Sequence, residues 1–327
     1  AKIPKKVNSP ALGSIVVDAN TGQIVSENNP DIKCYPASLV KLMMLLIIQE
    51  KIEEGSLNLT DTVRVTAEAA RMGGSQVYLA ENEEFTIEDL LYSLIIQSAN
   101  DSAVALAIHV TGSKKSFSEL MQGKAQEIGM TNTEFHSVHG LPPDLDQKPD
   151  ISTPRDLAIL AMTILKHPEA LRYTSTKIKG FRNESFEMRS HNKLLGSFPG
   201  CNGLKTGYFR AGGYSIVATA ERDGLRYIAV VAGSEDRIIR DAKAKELLSM
   251  AFSSHASQNK SSSVSQSQRS SQFIKLAEAP LQEEKDTPSP DKKRKDGGFE
   301  KTMKKFFLLI VIIGLASLFY WFGKNQS

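Results

Sequence analysis

The chain has 327 residues, room for one large domain or two smaller ones, and a formal charge of +3 that points to no nucleic-acid partner. Its two cysteines, Cys34 and Cys201, make neither a disulfide framework nor a metal-ligand pattern. The first residue is Ala rather than Met, as expected after removal of a signal peptide.

Residues 12–18 and 23–26 read as a hairpin around Asn20-Thr21-Gly22, with Ile15, Val17, Ile24 and Val25 as apolar surface. A loop leads to Pro36-Ala37-Ser38-Leu39-Val40-Lys41 and the apolar run Leu42-Met43-Met44-Leu45-Leu46-Ile47-Ile48. That run is too short to span a membrane and predicts a buried helix of about four turns. Ser38 opens it and Lys41 follows one turn later on the same face. A serine attacks only when a base takes its proton, and burial near a second cation would leave Lys41 neutral enough to be that base. The free N–H groups of the helix start would favour an anion forming beside Ser38. Ser-x-x-Lys occurs four times, at Ser38, Ser190, Ser257 and Ser289, so the pattern alone decides nothing. Only Ser38 opens a long apolar helix.

Residues 50–84 are irregular, with Gly55 and Gly73-Gly74 as breakers. Thr86 with Glu88 and Asp89 predicts a capped helix through Leu90, Leu91, Leu94, Ile95 and Ile96, ending at Ser98-Ala99-Asn100-Asp101. A second helix reaches about Val110. Ser116-Phe117-Ser118-Glu119 reads as a capping box for a third, and Thr153-Pro154 opens a fourth. A hydroxyl and a carboxamide at a helix joint can face a cleft, or Ser98 and Asn100 can merely cap the second helix.

From Gly200 the period changes to that of strands, at 201–208, 214–220 and 226–232, joined by Gly212-Gly213 and Asp223-Gly224. A helix over about 235–252 follows. The N-terminal hairpin is not stable alone, so it should join the C-terminal strands in one antiparallel sheet, with helices packed on it and a helical lobe inserted between. The expectation is an α+β fold with a five-stranded antiparallel sheet and a cleft between sheet and lobe. Lys205-Thr206-Gly207 occurs once, within the first of these strands. An exposed Lys205 beside Gly207 would let a substrate approach the strand edge closely; an ordinary polar edge strand would look the same.

Residues 253–271 are rich in Ser and Gln, and 278–300 are charged and carry Pro280, Pro288 and Pro290, the composition of a disordered tether. Residues 306–322 form a continuous apolar run flanked by Lys304, Lys305 and Lys324, at the low edge of spanning length. The expected organisation is a catalytic domain over 1–252, a tether over 253–303 and a transmembrane anchor over 304–324.

In this order, Ser38-x-x-Lys41, Ser98-x-Asn100 and Lys205-Thr206-Gly207 resemble the penicillin-recognising serine transpeptidase and β-lactamase superfamily. The finer resemblance is to the low-molecular-mass D-alanyl-D-alanine carboxypeptidases. It is carried also by Glu88-Asp89-Leu90-Leu91-Tyr92, Ile128-Gly129-Met130-Thr131-Asn132-Thr133, His139-Gly140-Leu141 and Gly203-Leu204, and covers about residues 9–252. It implies a peptidoglycan stem peptide ending in D-Ala-D-Ala as substrate, β-lactams as inhibitors, and no metal or other cofactor. Ser38 would attack, Lys41 would be its base, and Ser98 would pass the proton to the leaving amine. The N–H groups of Ser38 and Tyr208 would form an oxyanion hole, and Asn100 would hold the substrate amide. Lys205 and Thr206, beside Gly207, would bind the terminal carboxylate with Arg240, Arg237 being the competitor one turn earlier.

The alternatives are a D,D-endopeptidase cutting cross-links, a β-lactamase, a Ser-His-Asp hydrolase using His136, His139 or His191, and a non-catalytic peptidoglycan-binding module. No Glu-x-x-Leu-Asn stretch lies between Asp101 and Gly200, and no Gly-x-Ser-x-Gly elbow occurs. A binding module needs neither Lys41 nor Ser98. Familiar members carry a β-rich second domain where this chain carries the low-complexity tether. The basic residues Lys292 to Lys305 precede the apolar run, which by charge alone would leave the catalytic domain in the cytoplasm. The resemblance implies the opposite: the bacterial cell envelope, anchored in the cytoplasmic membrane with the catalytic domain outside, since a signal peptide exports a long domain whatever its flanks.

Overall fold

Strict alternation along three strands determines how the two faces of the sheet are covered. Ile15, Val17, Val217, Ile228 and Val230 pack into one hydrophobic cluster, while Val16, Ile216, Ala218, Ala229 and Val231 pack into another. A computed structural model describes residues 10–143 and 147–255 of the chain. Its main sheet joins β1 (Gly13–Asp18) and β2 (Ile24–Asn28) to β7 (Cys201–Phe209), β8 (Gly213–Arg222) and β9 (Leu225–Ser234). The order is β2-β1-β9-β8-β7, and every pair is antiparallel. This is the five-stranded α+β sheet read from the sequence, with β7 on an edge. Asp223 and Gly224, both at positive φ, make the tight β8–β9 turn.

Between the hairpin and β7 the chain forms the helical lobe. After a 3₁₀ turn at Ala37–Val40, α1 (Lys41–Glu53) is buried over every residue from Lys41 to Gln49. The short pair β3 (Thr62–Arg64) and β4 (Glu84–Thr86) brackets α2 (Ala67–Ala70). Thr86 and Asp89 form the expected capping box of α3 (Ile87–Tyr92), which runs into a π-helical turn at Ser93–Gln97. Next come α4 (Asn100–Thr111) and α5 (Lys114–Glu127). The cap of α5 is Ser113, whose hydroxyl accepts from the Ser116 N–H (3.1 Å), so this helix starts one turn before the expected box at Ser116. Thr153 caps α6 (Pro154–Ile164), with Pro154 in its first turn as expected. After α7 (Ala170–Thr174), the hairpin of β5 (Ile178–Phe181) and β6 (Phe186–Arg189) leads back to β7.

The last helix, α8, covers 237–255 and so continues past the expected boundary at 252. Its Ala244, Leu247, Leu248 and Ala251 close the outer face of the sheet. The expected tether beyond 255 and the apolar segment 304–324 lie outside the described residues. No helix among the described residues is long and apolar enough to cross a membrane.

Candidate active site

The site begins at a strained residue. Ala37 sits at φ +48°, a conformation that typically costs a side chain about 1–3 kcal/mol and persists only where its surroundings fix it. Two glycines do so. A Cβ on Gly207 would lie 2.6 Å from the Pro36 carbonyl, and one on Gly140 only 2.1 Å from the Ala37 carbonyl. β7 and the His139–Leu141 loop thus close on the turn that carries Ser38. On its Cβ side the space beside Gly207 is filled by the nucleophile turn, while Gly207 also lines the cavity described below.

Lys41 is fully buried. Its Nζ lies 2.8 Å from Asn100 Oδ1, 2.8 Å from the His139 carbonyl and 3.3 Å from Ser38 Oγ. The first two are pure acceptors and take two N–H bonds; the third direction faces the serine hydroxyl. Burial, and then the Lys205 cation, hold its pKa well below the ordinary 10.5, while Asp101 and Asp150 pull the other way. A neutral amine here points its lone pair at Ser38.

Asn100 is buried, with Oδ1 on Lys41 and Nδ2 donating to the Gly73 carbonyl at 2.8 Å. Its carboxamide is therefore a brace for Lys41, and only its remaining N–H is left for a substrate. Ser98 occupies a left-handed position (φ +62°) after the π-helical turn, a distortion common at functional sites. It does not cap α4, whose N-cap position is Ala99, with no side-chain cap bond. Ser98 Oγ is buried and, among the described residues, lacks a hydrogen-bond partner.

A cavity of about 370 Å³ opens beside these groups, lined by Ser38, Ser75, Ser98, His191, Lys193, Thr206, Gly207, Tyr208, Tyr214, Arg237 and Arg240. Lys41, Asn100 and Lys205 stand buried behind that wall. Lys205 was expected to be exposed; instead it is 2% exposed, and its ammonium donates to the Thr206 carbonyl (3.2 Å). Burial and Arg240 push its pKa down to about 7. Arg240 is equally buried, and Asp241 Oδ1 accepts from its Nε (2.9 Å) and an Nη (2.6 Å). Arg237 also reaches the cavity but is exposed. Arg240 lines the cavity and Lys205 lies buried behind it, close enough for their charges to oppose each other, with Asp241 balancing Arg240. At the mouth, Tyr208 stacks on Tyr214 with ring centroids 4.1 Å apart.

Residues 2–236 match the family model described as D-alanyl-D-alanine carboxypeptidase. The chain belongs to this family. Among D-alanyl-D-alanine carboxypeptidases it is 34% identical over 248 residues to DacF of Bacillus subtilis, covering 75% of this chain and 63% of that one. It is 36% identical over 245 residues to DacC of Escherichia coli, covering 73% and 60%. The match thus spans less than two thirds of these curated relatives. Penicillin binding protein 6B of E. coli superposes with a TM-score of 0.69 at 30% identity, over 76% of this chain and 79% of that one. Penicillin-Binding Protein D2 of Listeria monocytogenes, solved in an ampicillin-bound form, gives 0.68 at 30% identity, over 76% and 100%. The low-molecular-mass penicillin-binding proteins are therefore the chain's relatives in both sequence and fold.

Two buried carboxylates of this family member escaped the sequence reading. Asp101 accepts from the N–H groups of Val77 (3.1 Å) and Leu79 (3.0 Å), and Asp150 from those of His136 (2.6 Å) and Ser137 (2.9 Å). No motif flagged Asp150, and Asp101 stood out only as the residue after Asn100. Among the described residues no cluster could hold a metal ion, and Cys34 and Cys201 are free thiols.

Proposed function

We propose that the chain is a serine-type D-alanyl-D-alanine carboxypeptidase, removing the terminal D-alanine of peptidoglycan stem peptides through an acyl-enzyme on Ser38. The observation that carries this is Lys41, whose two N–H bonds are fixed on Asn100 and His139 so that its third direction faces Ser38 Oγ. Lys41 takes the serine proton as Oγ adds to the penultimate carbonyl. Backbone N–H groups of Ser38 and Tyr208 receive the oxyanion, a term worth about 3–4 kcal/mol per donor in comparable sites. Ser98, with its unpartnered Oγ, passes the proton to the leaving D-alanine nitrogen, and water then hydrolyses the ester. Lys205, Thr206 and Arg240 hold the terminal carboxylate. A β-lactam presents the same amide and carboxylate and stops at the ester, a reading that the ampicillin-bound Listeria relative supports.

Residues 304–324 anchor the enzyme in the cytoplasmic membrane through a tether that begins after α8, over 256–303, with the catalytic unit on the outer side. The support is the apolar run 306–322 between Lys304-Lys305 and Lys324. Incubating the full chain with a blocked peptide ending in D-alanyl-D-alanine should release free D-alanine, and Ser38→Ala should release none. Release by Ser38→Ala at the wild-type rate would overturn the reading. Cleavage of purified cross-linked muropeptides would extend the same chemistry to D,D-endopeptidase action.

A further inference from the structure

Each of the two fixed acceptors on Lys41 is tied to a buried aspartate. Asn100 is braced by the 73–79 segment, which Asp101 holds. On the other side, the loop carrying His139 is curled around Asp150, which is 7% exposed. Its Oδ1 accepts the N–H groups of His136 and Ser137, and its Oδ2 accepts the Ser137 hydroxyl at 2.6 Å. Ser137 Oγ in turn accepts the Gly140 N–H at 2.9 Å. That N–H and the His139 carbonyl belong to one peptide group, and the carbonyl is the oxygen 2.8 Å from Lys41 Nζ. An unbroken line of hydrogen bonds therefore runs from the Asp150 carboxylate to the amine beside Ser38.

We propose that Asp150 is a positioning residue of the serine–lysine pair, acting on Lys41 through Ser137 and the His139–Gly140 peptide. Both carboxylate oxygens only accept, so the chain works with the ionised form. A chain polarised in one direction strengthens each of its bonds, and here the last one is the carbonyl that aims the lysine. The carboxylate also contributes charge. Lys205 on β7 disfavours a proton on Lys41, and Asp101 on α4 and Asp150 favour one. Among the described residues His139 and His191 also feel Lys41, and the pKa of Asp150 itself is raised by burial and lowered by its hydrogen bonds and by His136. Asp150 thus restrains the fall in Lys41 basicity while fixing where its lone pair points.

This rests on Lys41 as the base for acylation, and the test separates the two claims. The probe is benzylpenicillin, and the readout is the acylation rate of the full chain across pH. Asp150→Asn keeps the shape and removes the charge. Its plateau should fall about tenfold, and the acid limb should move to lower pH by about half a unit or more, since one counter-charge is lost. Ser137→Ala keeps the charge and cuts the line; its plateau should fall several-fold with the limb unmoved. If Asp150→Asn lacks a cooperative melt, the Ser137→Ala plateau decides. Wild-type profiles in both variants overturn the inference. So does a lowered Asp150→Asn plateau with an unmoved limb beside a wild-type Ser137→Ala, the result of a structural role alone. Absence of a Ser38 adduct in the wild type overturns the proposed function itself.

Discussion

Asn100 Oδ1 accepts a hydrogen bond from Lys41 Nζ at 2.8 Å, and both side chains are buried. The contact orients the amine through an uncharged acceptor, while burial and the Lys205 cation hold its pKa down. Asn100→Asp exchanges that acceptor for a carboxylate of the same shape and raises the pKa of Lys41. Acylation by benzylpenicillin at pH 7 should drop by about tenfold for each unit that the lysine rises above the working pH, and recover in alkali. An Asn100→Asp profile that matches the wild type would remove Asn100 from the base machinery.

Gly207 is the point where β7 touches the nucleophile turn. In Gly207→Ala the new methyl meets the Pro36 carbonyl at 2.6 Å, so the strand or the turn must move. Overpacking of this kind typically costs about 1–3 kcal/mol of stability. A shift approaching 1 Å at Ser38 can cost about a hundredfold in rate. Denaturant melts and acylation rates together check this. Wild-type acylation in Gly207→Ala would show that the close approach is dispensable.

Lys205 gives a pH signature of its own. Its pKa is about 7 in the folded protein, while the unfolded chain holds the proton until near 10.5. Between these values the unfolded state binds more protons, so stability rises with pH through the window. The penalty is fully present below about pH 7. Wild type and Lys205→Met, in which the charge is gone, should differ by an amount that is constant below pH 7 and shifts in favour of the wild type up to about pH 10. Parallel stability curves would contradict a depressed Lys205.

The main sheet was legible because period-2 apolar strands and their glycine turns lie at both ends of the domain, and the hairpin needs partners. Ser38 and Lys41 were legible as one helical turn at the start of an apolar run. Other features depend on tertiary approach and leave no local trace. The inward turn of Asn100 follows from the Gly73 carbonyl, 27 positions away, and Lys205 reads as a polar edge residue until Arg240 and the sheet enclose it. Asp150 lies in a polar stretch where sequence predicts a solvated surface; only the fold wraps the 136–140 loop around it. The start of α5 was misplaced because Ser113 and Ser116 are both cap residues three positions apart, and sequence does not rank them.

Arg240 and Lys205 predict how the enzyme reads a substrate's terminus. Each charge-assisted hydrogen bond to the carboxylate is worth roughly 1.5–3 kcal/mol, about tenfold to a hundredfold in rate. Amidating the substrate's C-terminus should cost at least this. Arg240→Ala should slow the acid substrate by a similar factor and the amide little, a non-additive cycle. If the two losses simply add, Arg240 does not touch the carboxylate, and Arg237 becomes the residue to exchange.

Ser38 as the acylated nucleophile is tested most directly by intact-mass measurement of the full chain after exposure to benzylpenicillin, followed by peptide mapping. The wild type should gain the mass of one penicillin, mapped to the peptide containing Ser38, and Ser38→Ala should gain none. An adduct on any other residue, or an unmodified wild type, would contradict the mechanism.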